Sequence, residues 1–309
     1  LRKVVLPPSV VSIGEYAFSK CYNLRVIEMP PTLSIIKKFA FAQCTKIKSI
    51  SLPTNLTFIC ENAFSGCYGL RSISIPAKTA TIENNAFLSC TGLVDIFVDP
   101  NNEWYTAFES VLFTKDMKTL LLCPSGRKET SLNIPNTVET IGNSAFLYCK
   151  LSSVTIPCGL QKIGRNAFRN CTNLTSIVIP STVSSIEKNA FTNCFKLKSF
   201  LVDDKNQFFR SINDVLFSKD MTVLYWYPAK KDLKSYTIPF GVVSIERYAF
   251  NKCFNLFSIT IPHSVQTINN YAFSECMNLT SIVIPPSVIS ICKGPFYFWL
   301  SAATLFPVF

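Results

Sequence analysis

Ala-Phe pairs recur along this chain at a fixed step. Ala17-Phe18, Ala40-Phe41, Ala63-Phe64 and Ala86-Phe87 lie 23 residues apart. The pair returns at Ala145-Phe146, Ala167-Phe168 and Ala190-Phe191, then at Ala249-Phe250 and Ala272-Phe273. Phe296 falls 23 residues after Phe273, with Pro295 in place of the Ala. A Cys stands three residues after the Phe of every Ala-Phe pair from Phe18 to Phe273. A Leu or Ile comes next, and then an alternating apolar pair closed by Pro, as in Ile73-Ser74-Ile75-Pro76. A unit this short cannot bury a core alone, so it is stable only when stacked on copies of itself. The period therefore restricts the fold to a repeat solenoid.

Within the unit, Ile-x-Ile has period 2 and β-branched residues, which predicts a short strand. Pro cannot donate to a ladder and closes it. Val183, Ile186, Ala190 and Phe191 follow at spacings of 3, 4 and 1, which predicts a turn and a short helical segment. Twelve strand positions, from residues 4–6 to 282–284, are expected to form one parallel sheet. Two intervals, Ala86 to Ala145 and Ala190 to Ala249, are 59 residues instead, an excess of 36 each. The two insertions match at an offset of 104: residues 111–117, Val-Leu-Phe-Thr-Lys-Asp-Met, correspond to residues 215–221. In each, apolar runs flank a Lys-Asp turn, which reads as a hairpin. The expected organisation is a single solenoid over residues 1–293, with hairpin insertions at about 99–131 and 203–235. Residues 294–309 read as a degenerate final repeat or a truncated apolar tail.

The unit Leu-x-x-Ile-x-Ile-Pro-x-x-Val-x-x-Ile-x-x-x-Ala-Phe-x-x-Cys resembles the BspA-like, or Treponema-type, leucine-rich repeat over about residues 1–293. The Ala-Phe-x-x-Cys and the Pro after the strand carry the likeness, as does the Val-Leu-Phe-Ser-Lys-Asp stretch of the insertion. The resemblance implies an α/β repeat solenoid, a leucine-rich-repeat horseshoe. Its parallel sheet would lie on the concave face, with short helical turns on the convex side and two hairpin insertions. It also implies a cell-surface or secreted protein of bacteria or parasitic protists, associated with adhesion to host cells and matrix proteins. The use of Cys, Phe and Asn resembles that of protist members, such as those of Trichomonas, more than bacterial ones.

Composition argues against catalysis. His263 is the single histidine and follows Pro262 at a turn. No nucleophile-elbow, zinc-protease or phosphate-loop pattern occurs, and Gly is scarce at 10 residues. No Cys-x-x-Cys is present among the 13 cysteines, so neither a metal nor a cofactor is expected. Nine cysteines share one repeat position. A parallel column keeps their Cβ vectors side by side, which favours buried thiols over disulfides. The formal charge of +11 biases the chain toward acidic partners. No interleaving of basic and aromatic residues supports nucleic acid. No run of about 20 apolar residues spans a membrane, and no charged-then-apolar signal segment opens the chain.

The solvent side of the strands is the expected binding surface. One position carries Arg2, Arg25, Lys48 and Arg71, and later Lys198 and Lys234. The next carries a run of serines including Ser49, Ser72 and Ser176, and Glu28 stands in mid-strand. Phe97 and Leu201 share that mid-strand position and are expected to pack under the hairpins. The functional expectation is a non-catalytic protein that recognises a protein, matrix component or glycan, acidic ones included, through this face. The alternative is a structural or self-assembling coat or stalk element with no dedicated ligand.

Overall fold

The computed structural model describes residues 1–297 and the backbone of Thr304–Pro307. The chain forms two compact units. One holds Leu1–Thr130, Thr137–Lys150 and Ile163–Phe168; the other holds Ser131–Asn136, Leu151–Lys162 and Arg169–Phe309.

Unit 1 is built of coils, each contributing two strands. The Ile-x-Ile strands form a first row: Lys3–Val5, Val26–Glu28, Ser49–Ile50, Ser72–Ile75 and Asp95–Val98. Pairing is parallel and in repeat register, with Ile73 opposite Ile96 and Ser74 opposite Phe97. The pleat sends Ile73 and Ile75 into the core and Ser74 to solvent. A second row, missed in the sequence, follows the Pro: Ser12–Ile13, Ile35–Ile36, Phe58–Ile59 and Thr81–Ile82. It too is parallel, with Ile13 opposite Ile36 and Ile36 opposite Ile59.

Two expectations are corrected. The first row is not one sheet: Lys3–Val5 pairs with Val26–Glu28, and Ser49–Ile50, Ser72–Ile75 and Asp95–Val98 form a separate ladder. Nor does the Ala-Phe segment form a helical turn; among the described residues there is no helix. The reason lies in two backbone angles per coil. The residue before Ala and the residue before Cys are left-handed: Tyr16 and Lys20 have φ of 57° and 60°, Phe39 and Gln43 have 56° and 62°. A right-handed helix tolerates neither. Asn, which adopts this conformation more readily than most residues, fills several of these places, including Asn62, Asn85, Asn166 and Asn189. The helix-like spacing came from burial at successive corners of a coil: Leu33, Ile36, Ala40 and Phe41 are all fully buried.

These turns make a third set of bonds between coils. Phe18 N–H donates to Ala40 O at 2.8 Å, Phe41 N–H to Ala63 O at 2.7 Å, and Phe64 N–H to Ala86 O at 2.8 Å. The Phe rings stack in consequence, with centroids 5.3, 5.3 and 5.5 Å apart from Phe18 to Phe87. The cysteine also gains a role. Cys44, Cys67 and Cys90 Sγ lie 3.0, 3.2 and 3.1 Å from the Phe carbonyl of the preceding coil, as weak donors. The thirteen cysteines are thiols and form no disulfide.

The insertion in unit 1 is an extra coil whose second-row strand is widened into a meander. Tyr105–Phe108, Val111–Thr114 and Thr119–Leu122 run antiparallel, and the last pairs in parallel with Thr140–Ile141, restoring the row. Glu109 and Ser110 join the first two strands with φ of 48° and 63°, both left-handed as a type I′ turn requires. Buried Asn102 secures the entry. Its Nδ2 donates to Pro76 O and Thr79 O, while its Oδ1 accepts from Trp104 N–H and Tyr105 N–H, all between 2.7 and 3.0 Å.

Unit 2 repeats these devices. Its first row is Ser131–Asn133, Ser153–Thr155, Ser176–Ile179 and Ser199–Val202, then Ser235–Thr237, Ser258–Thr260 and Ser281–Ile284. Its meander, Phe209–Ile212, Val215–Ser218 and Val223–Trp226, joins Ser244–Ile245 in parallel. Buried Asn206 makes the same four bonds as Asn102. Phe273 N–H donates to Pro295 O at 2.8 Å, and Phe296 stacks on Phe273 at 5.7 Å. Thr304–Pro307 lies parallel to Ser281–Ile284.

Three outcomes follow from this packing. Phe64→Ala removes a ring stacked on both sides and is expected to destabilise the protein by about 3–5 kcal/mol in chemical denaturation. Asn206→Ala strands two carbonyls and two amides and is expected to cost at least about 2 kcal/mol, with faster amide exchange at Phe208 and Phe209. Burial pushes Cys44, Cys90 and Cys194 up to about 12. Iodoacetamide on the native protein at about pH 8 should therefore modify exposed Cys158 and spare that column, as read by peptide mass mapping, because the thiolate is the nucleophile.

Candidate functional site

The first-row strands place every second side chain in solvent, and their flanks inherit that exposure. In unit 1, Arg2, Arg25, Lys48 and Arg71 are all exposed. Arg25 N–H bonds Arg2 O and Arg71 N–H bonds Lys48 O, both at 2.9 Å, so each pair stands on neighbouring rungs. Neighbouring strands lie about 4.7–4.9 Å apart, and two exposed like charges at that distance repel by only about 0.8–0.9 kcal/mol in water. The column is thus tolerated by the fold and attractive to an anion.

The partners of these residues are modest. Glu28 is exposed and pairs with Lys3 at 2.6 Å. Arg71 Nη1 reaches Gly92 O at 3.5 Å. Ser49 is exposed, Ser72 half-buried, and the two are directly opposite in register. Asp95 succeeds Ser72 in that column, and its carboxylate accepts from Ser110 Oγ at 2.9 Å. The break in the serine run at position 95 was the readable sign of it.

Unit 2 carries the remaining expected residues. Ser176 is half-buried and sits opposite Ser199. Lys198 is exposed, and its N–H bonds Thr175 O at 2.8 Å. Exposed Lys234 holds its ammonium 4.9 Å from the centre of the Phe257 ring. The strand face is more apolar here, with Val178 opposite Leu201 and both about half exposed.

Phe97 and Leu201 do not pack under the meanders. They are 54% and 48% exposed, because the pleat that buries Ile96 and Phe200 turns the next side chain to solvent. In unit 1 the meander leaves a cleft of about 300 Å³ beside Asp95–Val98. Phe97, Asp99, Thr106, Ser110 and Lys115 line it, and Lys115 Nζ is tied to Asn102 O at 2.5 Å. At the meander tips, Thr114 Oγ1 and then Lys118 N–H bond Asp116 and hold its carboxyl below the usual range. Ser218 and Thr222 do the same for Asp220. Each tip therefore keeps one ionised carboxylate beside its lysine.

Among the described residues, no group of three or more His, Cys, Asp or Glu is arranged to hold a metal ion. His263 is exposed at its turn. Among the same residues, no helix is long and apolar enough to cross a membrane.

Known proteins with this architecture are consistent in kind. The model of the BspA type leucine rich repeat region matches in six copies, over residues 1–115, 125–225 and 222–305. No curated protein matches the sequence. Among solved structures, a leucine-rich repeat protein from Eubacterium ventriosum is similar at 27% identity and a TM-score of 0.71, over 100% of this chain and 85% of that one. A leucine rich cell surface protein from Faecalibacterium prausnitzii shares the fold at 23% identity and a TM-score of 0.56, over 96% and 79%. The pneumococcal vaccine antigen PcpA shares it at 20% identity and 0.59, over 94% and 73%. Coils, insertions and family match together place this chain in the BspA-type leucine-rich repeat family.

Proposed function

We propose that this chain is a non-catalytic recognition protein of a cell surface, which grips a host protein, matrix component or glycan through the solvent side of its first-row strands. The observation that carries this reading is the exposed cation column of Arg2, Arg25, Lys48 and Arg71 in unit 1. Those charges make few bonds within the protein, and exposed Phe97 adds an apolar group to the same strand row. The surface character of the similar Faecalibacterium protein supports the location.

The test is a charge reversal. Replacing all four with Glu changes the charge of the face by eight units while leaving the buried isoleucines alone. Binding of the full chain to immobilised host-cell matrix is expected to fall by at least about tenfold at physiological salt, with the remaining binding less sensitive to salt. Unchanged binding in a variant with an unchanged melting curve would sink the strand-face assignment. It would favour the coat or stalk role instead.

A further inference from the structure

The inserted coil of unit 2 lacks the Ala-Phe turn that its neighbours possess. Tyr227 takes the place of the Phe, its N–H bonding Ala249 O at 2.8 Å, and Pro228 follows at once. In ordinary coils the residue before Cys donates to a carbonyl of the next turn, as Asn170 does to Thr192 O at 2.9 Å and Lys252 to Ser274 O at 3.0 Å. Asn193 instead donates to the side chain of Asn251, whose Oδ1 lies 3.2 Å away. Asn251 in turn donates from Nδ2 to Ser274 O at 3.3 Å. The missing turn leaves a cleft of about 230 Å³.

The lining of that cleft is polar below and aromatic beside. Arg169, Thr192, Asn251 and Ser274 contribute hydrogen-bonding groups. Thr192 is only 3% exposed, yet among the described residues nothing bonds its hydroxyl, and Arg169 Nε is likewise buried and unbonded there. Groups in that condition are costly unless something bonds them. Tyr248, Tyr271 and Tyr297 supply the aromatic wall. The first two stack at 5.2 Å with the Arg247 guanidinium 5.1 and 5.4 Å from their centres, and Tyr271 meets Tyr297 edge-on at 5.8 Å. Glu275 is engaged by Lys252 at 3.4 Å, and Arg169 is the cation of the lining.

The duplication provides an internal comparison. At the matching offset of 104 residues, unit 1 has Leu88, Ser89, Ser144 and Leu147 where unit 2 has Thr192, Asn193, Tyr248 and Asn251. The scaffold therefore accepts apolar or small residues at these places. The polar and aromatic set belongs to the second copy alone.

We infer that this cleft binds a single acidic sugar residue, with its carboxylate on Arg169, its hydroxyls on Thr192 and Asn251, and its ring against the tyrosines. The volume is below the about 300–1,000 Å³ of drug-sized pockets, which suits one ring. Amides and hydroxyls beside aromatic faces match a molecule with a polar rim and carbon–hydrogen faces, and the guanidinium matches a carboxylate. The site is separate from the strand face and does not depend on the role proposed for it.

Calorimetric titration of the full chain with glucuronate, glucose and acetate tests the assignment. Glucuronate is expected to bind about tenfold more tightly than glucose or acetate, because each lacks part of the contact set. Arg169→Gln should erase the preference over glucose, and Asn251→Leu, which copies the unit 1 residue, should weaken both sugars. Should either variant melt early, Tyr297→Ala at the rim replaces it, since that side chain is 52% exposed. The charge-reversed strand face must leave glucuronate binding intact. Absence of glucuronate binding overturns the inference. So does acetate binding as tightly as glucuronate, which marks a bare anion site, or glucuronate binding indifferent to these variants.

Discussion

The amide hydrogens of Phe18, Phe41, Phe64, Phe146 and Phe250 point along the stacking direction, toward the Ala carbonyl of the next coil. That bond is the constraint from which the rest of the architecture follows. It holds successive turns at a spacing close to the about 4.7–4.9 Å between strands, so the rings below must stack and the strands on either side must stay in register. It also requires the left-handed residues that bracket the Ala-Phe pair, because only an alternating backbone can present donors and acceptors in this direction. The buried thiol fits the same scheme as a small group with a weak donor aimed at the neighbouring carbonyl. Ala is needed for a related reason: Ala40, Ala63 and Ala86 are all but fully buried at the tightest point of the turn.

The period, the parallel stacking and the first-row strands were legible in the sequence because one residue type returns to one place. The turn was not. A spacing of 3 and 4 between apolar residues describes a helix face, and it equally describes a chain that buries a residue at each corner. The discriminating sign was present in the Asn residues at 62, 85, 166 and 189, each directly before an Ala. Asn is a poor helix former and a favoured left-handed residue, so its recurrence there favoured a turn. In ordinary coils the second-row strands are two residues long and too short to show an alternation.

Side-chain columns were similarly readable, and coincidences between distant residues were not. Arg2, Arg25, Lys48 and Arg71 fall into line by counting alone. Phe97 and Leu201 were placed under the meanders because the insertion follows them directly; the pleat turns them outward instead. Asn193 and Asn251 are 58 residues apart and meet only because the coil between them omits a turn. Comparing the two copies of the duplicated block position by position, as with Leu147 against Asn251, was the available signal for that pair.

The way each meander ends has a consequence for how such chains change in length. Thr119–Leu122 and Val223–Trp226 both leave the insertion in parallel register with the following second-row strand. A block bounded in this manner begins and finishes at the same phase of the coil. It can be copied or deleted whole without re-aiming any side chain outside it. Recombination between the copies therefore yields a longer or shorter array that still folds, and single copies are free to diverge while the frame persists.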